Sequence, residues 1–213
     1  MSSRTSQKTS IPARIVGGYE IIGGAIGAIV LFFKIIDYLG ESSDALYLLN
    51  AFFGLALFLF CCYAGYRLIE GKLTGYTLSL WVQAIQIPKI VIGGFAYFFA
   101  AGLHLLLGLQ EDMSLGFFLS TSITGFQLGF IFDEPIYSFS VNVIAISLCI
   151  YLTKLMKLRK TEDRLAELKT CPYCHADLVF DTDRFLKQSR AFCSSCNNVI
   201  RLQDLEKRSE ESI

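Results

Sequence analysis

Apolar positions dominate the chain between residues 15 and 152 and fall into four runs. Each is long enough to supply the roughly 20 helical residues that cross a hydrocarbon core of about 30 Å. The first, 15–39, is too long for a signal-peptide core and lacks a small-residue cleavage site, so it is expected to remain as a transmembrane helix. Within it Gly23 and Gly27 stand in GxxxG spacing, which leaves one helix face open to the close approach of another backbone. The second run, 45–66, carries Asn50 as its strongly polar side chain and ends at Arg67, Glu70 and Lys72.

The third run, 76–107, is interrupted by Pro88. Before the proline, Ser79, Gln83 and Gln86 recur at i, i+4 and i+7, a polar stripe on one helical face. Two placements fit residues 76–87. Either they enter the membrane as the first part of a span kinked at Pro88, or they lie along the interface with Trp81 at headgroup level and the span begins after Lys89. The fourth run, 138–156, reads as a last span.

Between the third and fourth runs the period changes from helical to nearly alternating. Leu115, Phe117, Leu119 and Ile123 fall at even spacings, as do Phe126, Leu128, Phe130 and Phe132 beyond Thr124-Gly125, which predicts a β-hairpin over 113–133. An isolated hairpin leaves edge N–H and C=O groups unpaired in lipid, so this one is expected outside the membrane. The fold class expected is therefore an α-helical integral membrane protein of four transmembrane helices in a domain over 14–157. It carries an extracytoplasmic β-hairpin and is preceded by a disordered tail, 1–13.

Loop charges orient these runs. Arg4, Lys8 and Arg14 precede the first, Arg67 and Lys72 follow the second, and Lys154, Lys157, Arg159 and Lys160 follow the last. Asp37, Glu41 and Asp44 follow the first run, and Glu111, Asp112, Asp133 and Glu134 flank the hairpin. The positive-inside rule then puts both termini in the cytoplasm of a multi-pass cell-membrane protein. Composition agrees: 53% of residues are hydrophobic, 18% are charged and the mean hydropathy is +0.48. Net charge is zero, and no basic surface invites nucleic acid. Cys61, Cys62 and Cys149 lie within apolar runs, where cysteine acts as a small hydrophobe.

Past the last run the chain becomes polar. Residues 158–169 are good helix formers and predict a helical stalk, and 203–213 form a polar tail. Between them, Cys171-Pro-Tyr-Cys174 and Cys193-Ser-Ser-Cys196 are two CxxC pairs separated by 18 residues. That spacing suits four thiolates closing around one tetrahedral zinc ion. The segment 170–202 resembles a zinc ribbon. The resemblance implies a knuckle at each pair between short strands, and a cytoplasmic, reduced setting favours metal over disulfides. Four thiolates leave no position for water, so the Zn2+ is expected to be structural, supplying about 10–16 kcal/mol of folding free energy to a module too small to be held by apolar burial.

Polar groups inside the runs are the other candidates: Glu20, Asn50, Gln83, Gln86, Lys89, His104 and Asn142. Glu20 and Lys89 would meet near the inner leaflet if the first and third runs touch. The chain has no phosphate-binding GxxxxGK[ST] loop, GxSxG elbow or HExxH helix, and no enzyme is expected. The expected role is a membrane adaptor whose ribbon meets a cytoplasmic protein partner. The alternative is an oligomeric sensor or channel-like subunit, as in a bacterial defence or stress system. Membrane lipid and further copies of the chain are the other expected partners.

Overall fold

A computed structural model describes residues 10–40, 45–93, 95–109, 115–119, 124–130, 137–167, 171, 173–174, 176 and 190–201. The chain divides into two compact units, Met1–Leu155 and Met156–Ile213. Residues 1–9 of the expected N-terminal tail and the expected polar tail at 203–213 lie outside the described residues.

Two long helices open the first unit, α1 (Ile11–Gly40) and α2 (Ala45–Ile69). Along α1 the buried positions are Ala13, Val16, Gly17, Glu20, Gly23, Gly24, Gly27 and Ile35, and as far as Gly27 they form a stripe repeating every three or four residues. The matching stripe on α2 is Ala51, Gly54, Phe58, Cys61, Gly65 and Leu68. Glycine is required where the two meet. A Cβ on Gly17 would stand 2.7 Å from the Gly65 carbonyl oxygen, and one on Gly24 would stand 2.7 Å from that of Phe58. At Gly27 the Phe58 ring fills the space a side chain would need, whereas Gly23 lies against the Ala101 backbone.

Gly71, at φ 72°, turns the chain into the shorter helix α3 (Leu73–Ile85). Glu70 holds this turn: its Oε2 lies 2.7 Å from Lys72 Nζ and 3.7 Å from Arg67 Nη1. The Lys72 ammonium keeps the Glu70 carboxyl below its ordinary range. Strands β1 (Pro88–Ile92), β2 (Phe95–Ala101), β3 (Leu105–Leu109), β4 (Leu115–Leu119), β5 (Thr124–Phe130) and β6 (Tyr137–Asn142) follow, and then helix α4 (Val143–Glu167). The six strands form one antiparallel sheet in the order β4-β3-β6-β1-β2-β5.

This architecture corrects the expected four-helix membrane domain. Only α1 and α2 are helices long and apolar enough to cross a membrane among the described residues. The run 76–107 is α3 followed by β1, β2 and the start of β3, and the run 138–156 begins in β6 before α4. The physical reason lies in the punctuation of these runs. Pro88 cannot continue a helical hydrogen-bond ladder but is tolerated as the first residue of a strand. Gly93 (φ 55°) and Gly102 (φ 111°) make the turns that bound β2, whose Phe95-Ala-Tyr-Phe-Phe sequence is aromatic.

The expected hairpin over 113–133 is corrected as well. Its two strands exist as β4 and β5, yet β4 pairs with β3 and β5 with β2, and no β4–β5 pairing occurs among the described residues. Their partners β3 and β2 lie in a segment whose hydropathy reads as membrane helix.

The first unit's core forms where α2, α3 and β2 converge on Phe58, Cys61, Ala64, Val82, Phe99 and Ala101. In the second unit, β7 (Arg190–Phe192) and β8 (Val199–Arg201) pair antiparallel, and Ile200 is buried with Cys171 and Cys193.

Candidate metal centre and buried polar cluster

The two CxxC segments are built alike. The Cys171 backbone N–H donates to the Ala176 carbonyl at 2.7 Å, and the Cys193 N–H donates to the Asn198 carbonyl at 3.0 Å, five residues onward in both cases. In the second turn the Asn197 N–H also returns to the Cys193 carbonyl at 2.9 Å, and Asn197 takes the left-handed conformation, φ 59°, that asparagine tolerates better than most residues. Such turns aim backbone N–H groups at sulfur. That of Tyr173 lies 3.4 Å from Cys171 Sγ.

All four sulfurs lie within 4.8 Å of one another. Cys171 and Cys196 are 3.8 Å apart at sulfur, and Cys174 and Cys193 are 3.7 Å apart. A disulfide is about 2.05 Å long, so these are separate thiols. A tetrahedron of sulfurs about 2.3 Å from a central zinc has edges of about 3.8 Å, so the donor set fits that ion in both chemistry and size.

The local field favours thiolate formation unequally. Cys193 is pushed down to about 6 because the N–H groups of Cys196 and Ser195 stabilise its thiolate. Cys174 is pushed up to about 12: the Ala176 N–H favours its thiolate, but desolvation and the sulfurs of Cys196, Cys171 and Cys193 outweigh it. A cation at the centre would relieve that crowding of negative charge.

No protein-family model, curated protein or solved structure matches this chain. The four-cysteine cluster is consistent with a zinc-ribbon-like module on its own geometry.

In the first unit, the sequence stripe on α3 meets a single acid. Glu20 of α1 is fully buried and accepts from Ser79 Oγ at 2.7 Å through Oε2 and from Gln83 Nε2 at 2.9 Å through Oε1. Gln86, the third member of the stripe, donates to the Val82 carbonyl and accepts from the Ala101 N–H at 2.9 Å, joining α3 to the end of β2. Glu20 does not meet Lys89. Lys89 lies in β1, with its Nζ 5.7 Å from the centroid of the Phe98 ring. Among the described residues no Lys, Arg or His lies within ion-pair distance of Glu20.

The other polar candidates join elements. Asn50 donates to the Leu128 carbonyl at 2.9 Å, binding α2 to β5. Asn142 caps α4, its Oδ1 accepting from the N–H groups of Ile144 and Ala145 at 3.2 and 3.4 Å. His104 is buried, with its ring edge-on to Phe98 and Nδ1 3.5 Å from the Gly102 carbonyl. Two participants were missed by sequence reasoning. Gly65 completes the helix seam opposite Gly17, and Tyr19 donates to the Leu103 carbonyl at 2.8 Å. Small-residue spacing on α2 was a signal for the first, whereas the second depends on the turn between β2 and β3, which hydropathy hid.

Proposed function

We propose that this chain is a membrane-anchored adaptor, in which the α1–α2 hairpin holds the protein in a bilayer and a zinc-stabilised cysteine module presents a surface to a cytoplasmic protein. The observation that carries the membrane part is how little of the apolar surface is covered. Only 39% of the most apolar stretch of α1 and 22% of that of α2 are buried, whereas the core helix of a soluble protein is mostly enclosed. Phe32, Phe33, Phe52, Phe53 and Leu59 are each at least half exposed. Contiguous apolar surface on that scale calls for lipid or another chain.

Charge supports a cytoplasmic location for both ends of the hairpin. Arg4, Lys8 and Arg14 precede or begin α1, Arg67 and Lys72 follow the α2 span, and Asp37, Glu41 and Asp44 lie around the connection. The reducing cytoplasm keeps four thiols available for metal. The test is affinity recovery of partners from membranes in mild detergent. Cys171→Ser is expected to abolish recovery of the partner while membrane extraction behaviour stays unchanged, and undiminished recovery refutes the adaptor.

A second reading, an oligomeric sensor or channel-like subunit, is favoured by the burial of Glu20 without a cationic neighbour among the described residues, since ionisable groups inside membranes commonly serve transport or sensing. Glu20→Gln keeps the hydrogen-bonding shape. Unchanged ion flux and signalling in that variant would remove this reading.

A further inference from the structure

We infer that the six-stranded sheet is itself embedded in the outer half of the bilayer, so that the chain crosses twice more by composite paths, helix in one leaflet and strand in the other. This rests on the membrane reading of α1 and α2. The occupant proposed for the sheet's outer face is lipid acyl chain.

The strand registers sort side chains into two faces. Lys89, Ala96, Ala100, Gly125, Gly108 and Ser140 fall on one, small or polar for the most part. Ile90, Ile92, Phe95, Tyr97, Tyr137 and Phe139 fall on the other. Phe99 and Phe126 of this second face pack towards α2 at Phe58 and Gly54. Away from the helices, Ile92, Phe95, Tyr137 and Phe139 are 56%, 37%, 63% and 52% exposed. Ala96, Ala100 and Ser140, which face away from those helices, are nevertheless buried. The sheet therefore rolls around its small-residue face.

Chain length requires the same curvature. The two edge strands follow one another directly, and from Leu119 to Thr124 an extended chain reaches at most about 18 Å. A flat six-stranded sheet would hold its edges about 24 Å apart. Rolling turns both edges toward each other, which lessens the penalty that open strand edges incur in lipid.

Contacts along α1 and α2 set the depth. Glu20 meets α3, Gly23 meets the end of β2, and further on Leu31 and Phe126 both approach Gly54. Asn50, near the start of α2, meets Leu128. The sheet thus lies beside the acidic-loop half of the helix hairpin and α3 beside the basic half. At the junction, the Asn142 N–H donates to the Ile87 carbonyl at 2.8 Å. Seven residues away on either side, Cys149 Sγ reaches the Leu80 carbonyl at 3.9 Å. Helices α3 and α4 therefore leave the same end of the sheet side by side.

Lengths agree. Helix α3 and strand β1 together extend about 36 Å, as do β6 and the uncharged residues 143–153 of α4, against a hydrocarbon core of about 30 Å. No Asp, Glu, Lys or Arg occurs from Ile90 to Gln110. Glu111, Asp112, Asp133 and Glu134 fall in the β3–β4 and β5–β6 connections, which antiparallel alternation puts at one end of the sheet.

Trp81 is the chain's one tryptophan, which permits a direct test in the full-length protein. In a Trp81→Phe background reconstituted into phosphatidylcholine vesicles brominated at mid-chain, a reporter is placed by Phe139→Trp or, should that variant fail to fold, Ile92→Trp. A second reporter, Phe32→Trp, reads α1 independently. The expected result is a loss of sheet-reporter fluorescence in brominated lipid matching that of the α1 reporter, with little quenching by aqueous iodide. Quenching of the α1 reporter alone, with the sheet reporter open to iodide, overturns the composite crossings and leaves the anchor standing. Absence of bromolipid quenching at both overturns the anchor as well.

Discussion

Replacing Gly17 by alanine would put a methyl carbon 2.7 Å from the Gly65 carbonyl oxygen and 2.7 Å from Ile69 Cγ1. The isoleucine can rotate away, but the carbonyl belongs to the α2 backbone, so relief requires the two helices to part. Overpacking of that kind costs about 1–3 kcal/mol, while alanine in a helix interior returns at most about 1 kcal/mol relative to glycine. The net expectation is destabilisation by up to about 2 kcal/mol. Gly18→Ala is the internal control: nothing lies within 4 Å of its added methyl, so it should gain the helix term without the clash. Reversible unfolding in mild detergent, followed by circular dichroism, compares the two. Gly17→Ala combined with Gly65→Ala should cost less than the sum of the single variants, because helices already parted by one methyl make room for the other. Equal stability of Gly17→Ala and Gly18→Ala would refute a backbone-close crossing.

Ser79→Ala removes a donor from the buried Glu20 carboxylate and is expected to cost about 1–3 kcal/mol, whereas Thr77→Ala on the exposed side of α3 should stay within about 0.5 kcal/mol; equal midpoints would contradict the buried contact. Asn142→Ala should destabilise by about 1 kcal/mol and Asn142→Ser by much less, measured by the same unfolding assay, because serine can still cap α4. Metal chelation should abolish amide exchange protection across residues 190–201, while that of α1 and α2 persists. Acidification should release the ion, since protons compete for the thiolates; unchanged protection after verified metal removal would exclude a structural metal.

What was legible in the sequence was what depends on near neighbours. The cysteine turns repeat a five-residue hydrogen-bond span, and their spacing alone brought out all four sulfurs. Helices α1 and α2 followed from run length, and the Ser79, Gln83 and Gln86 stripe was visible although its partner Glu20, about sixty residues earlier, was not. The strands were hidden for a physical reason. In β2, Ala96, Phe98 and Ala100 stand where a half-solvated sheet would show polar residues, so both faces read as apolar and hydropathy cannot separate strand from membrane helix. Pairing of β3 with β6 and β5 with β2 joins positions some thirty residues apart, beyond any local pattern.

The four sulfurs are not equivalent in access. Cys171 and Cys193, the first of each pair, are enclosed around Ile200, whereas Cys174 is exposed and Cys196 is partly so. The centre consequently has an enclosed side and an open one. An incoming metal donor, electrophile or oxidant would meet Cys174 first, because its thiol is the exposed one of the four. Were a metal bound there, the exposed cysteine would be its point of exchange with the surroundings.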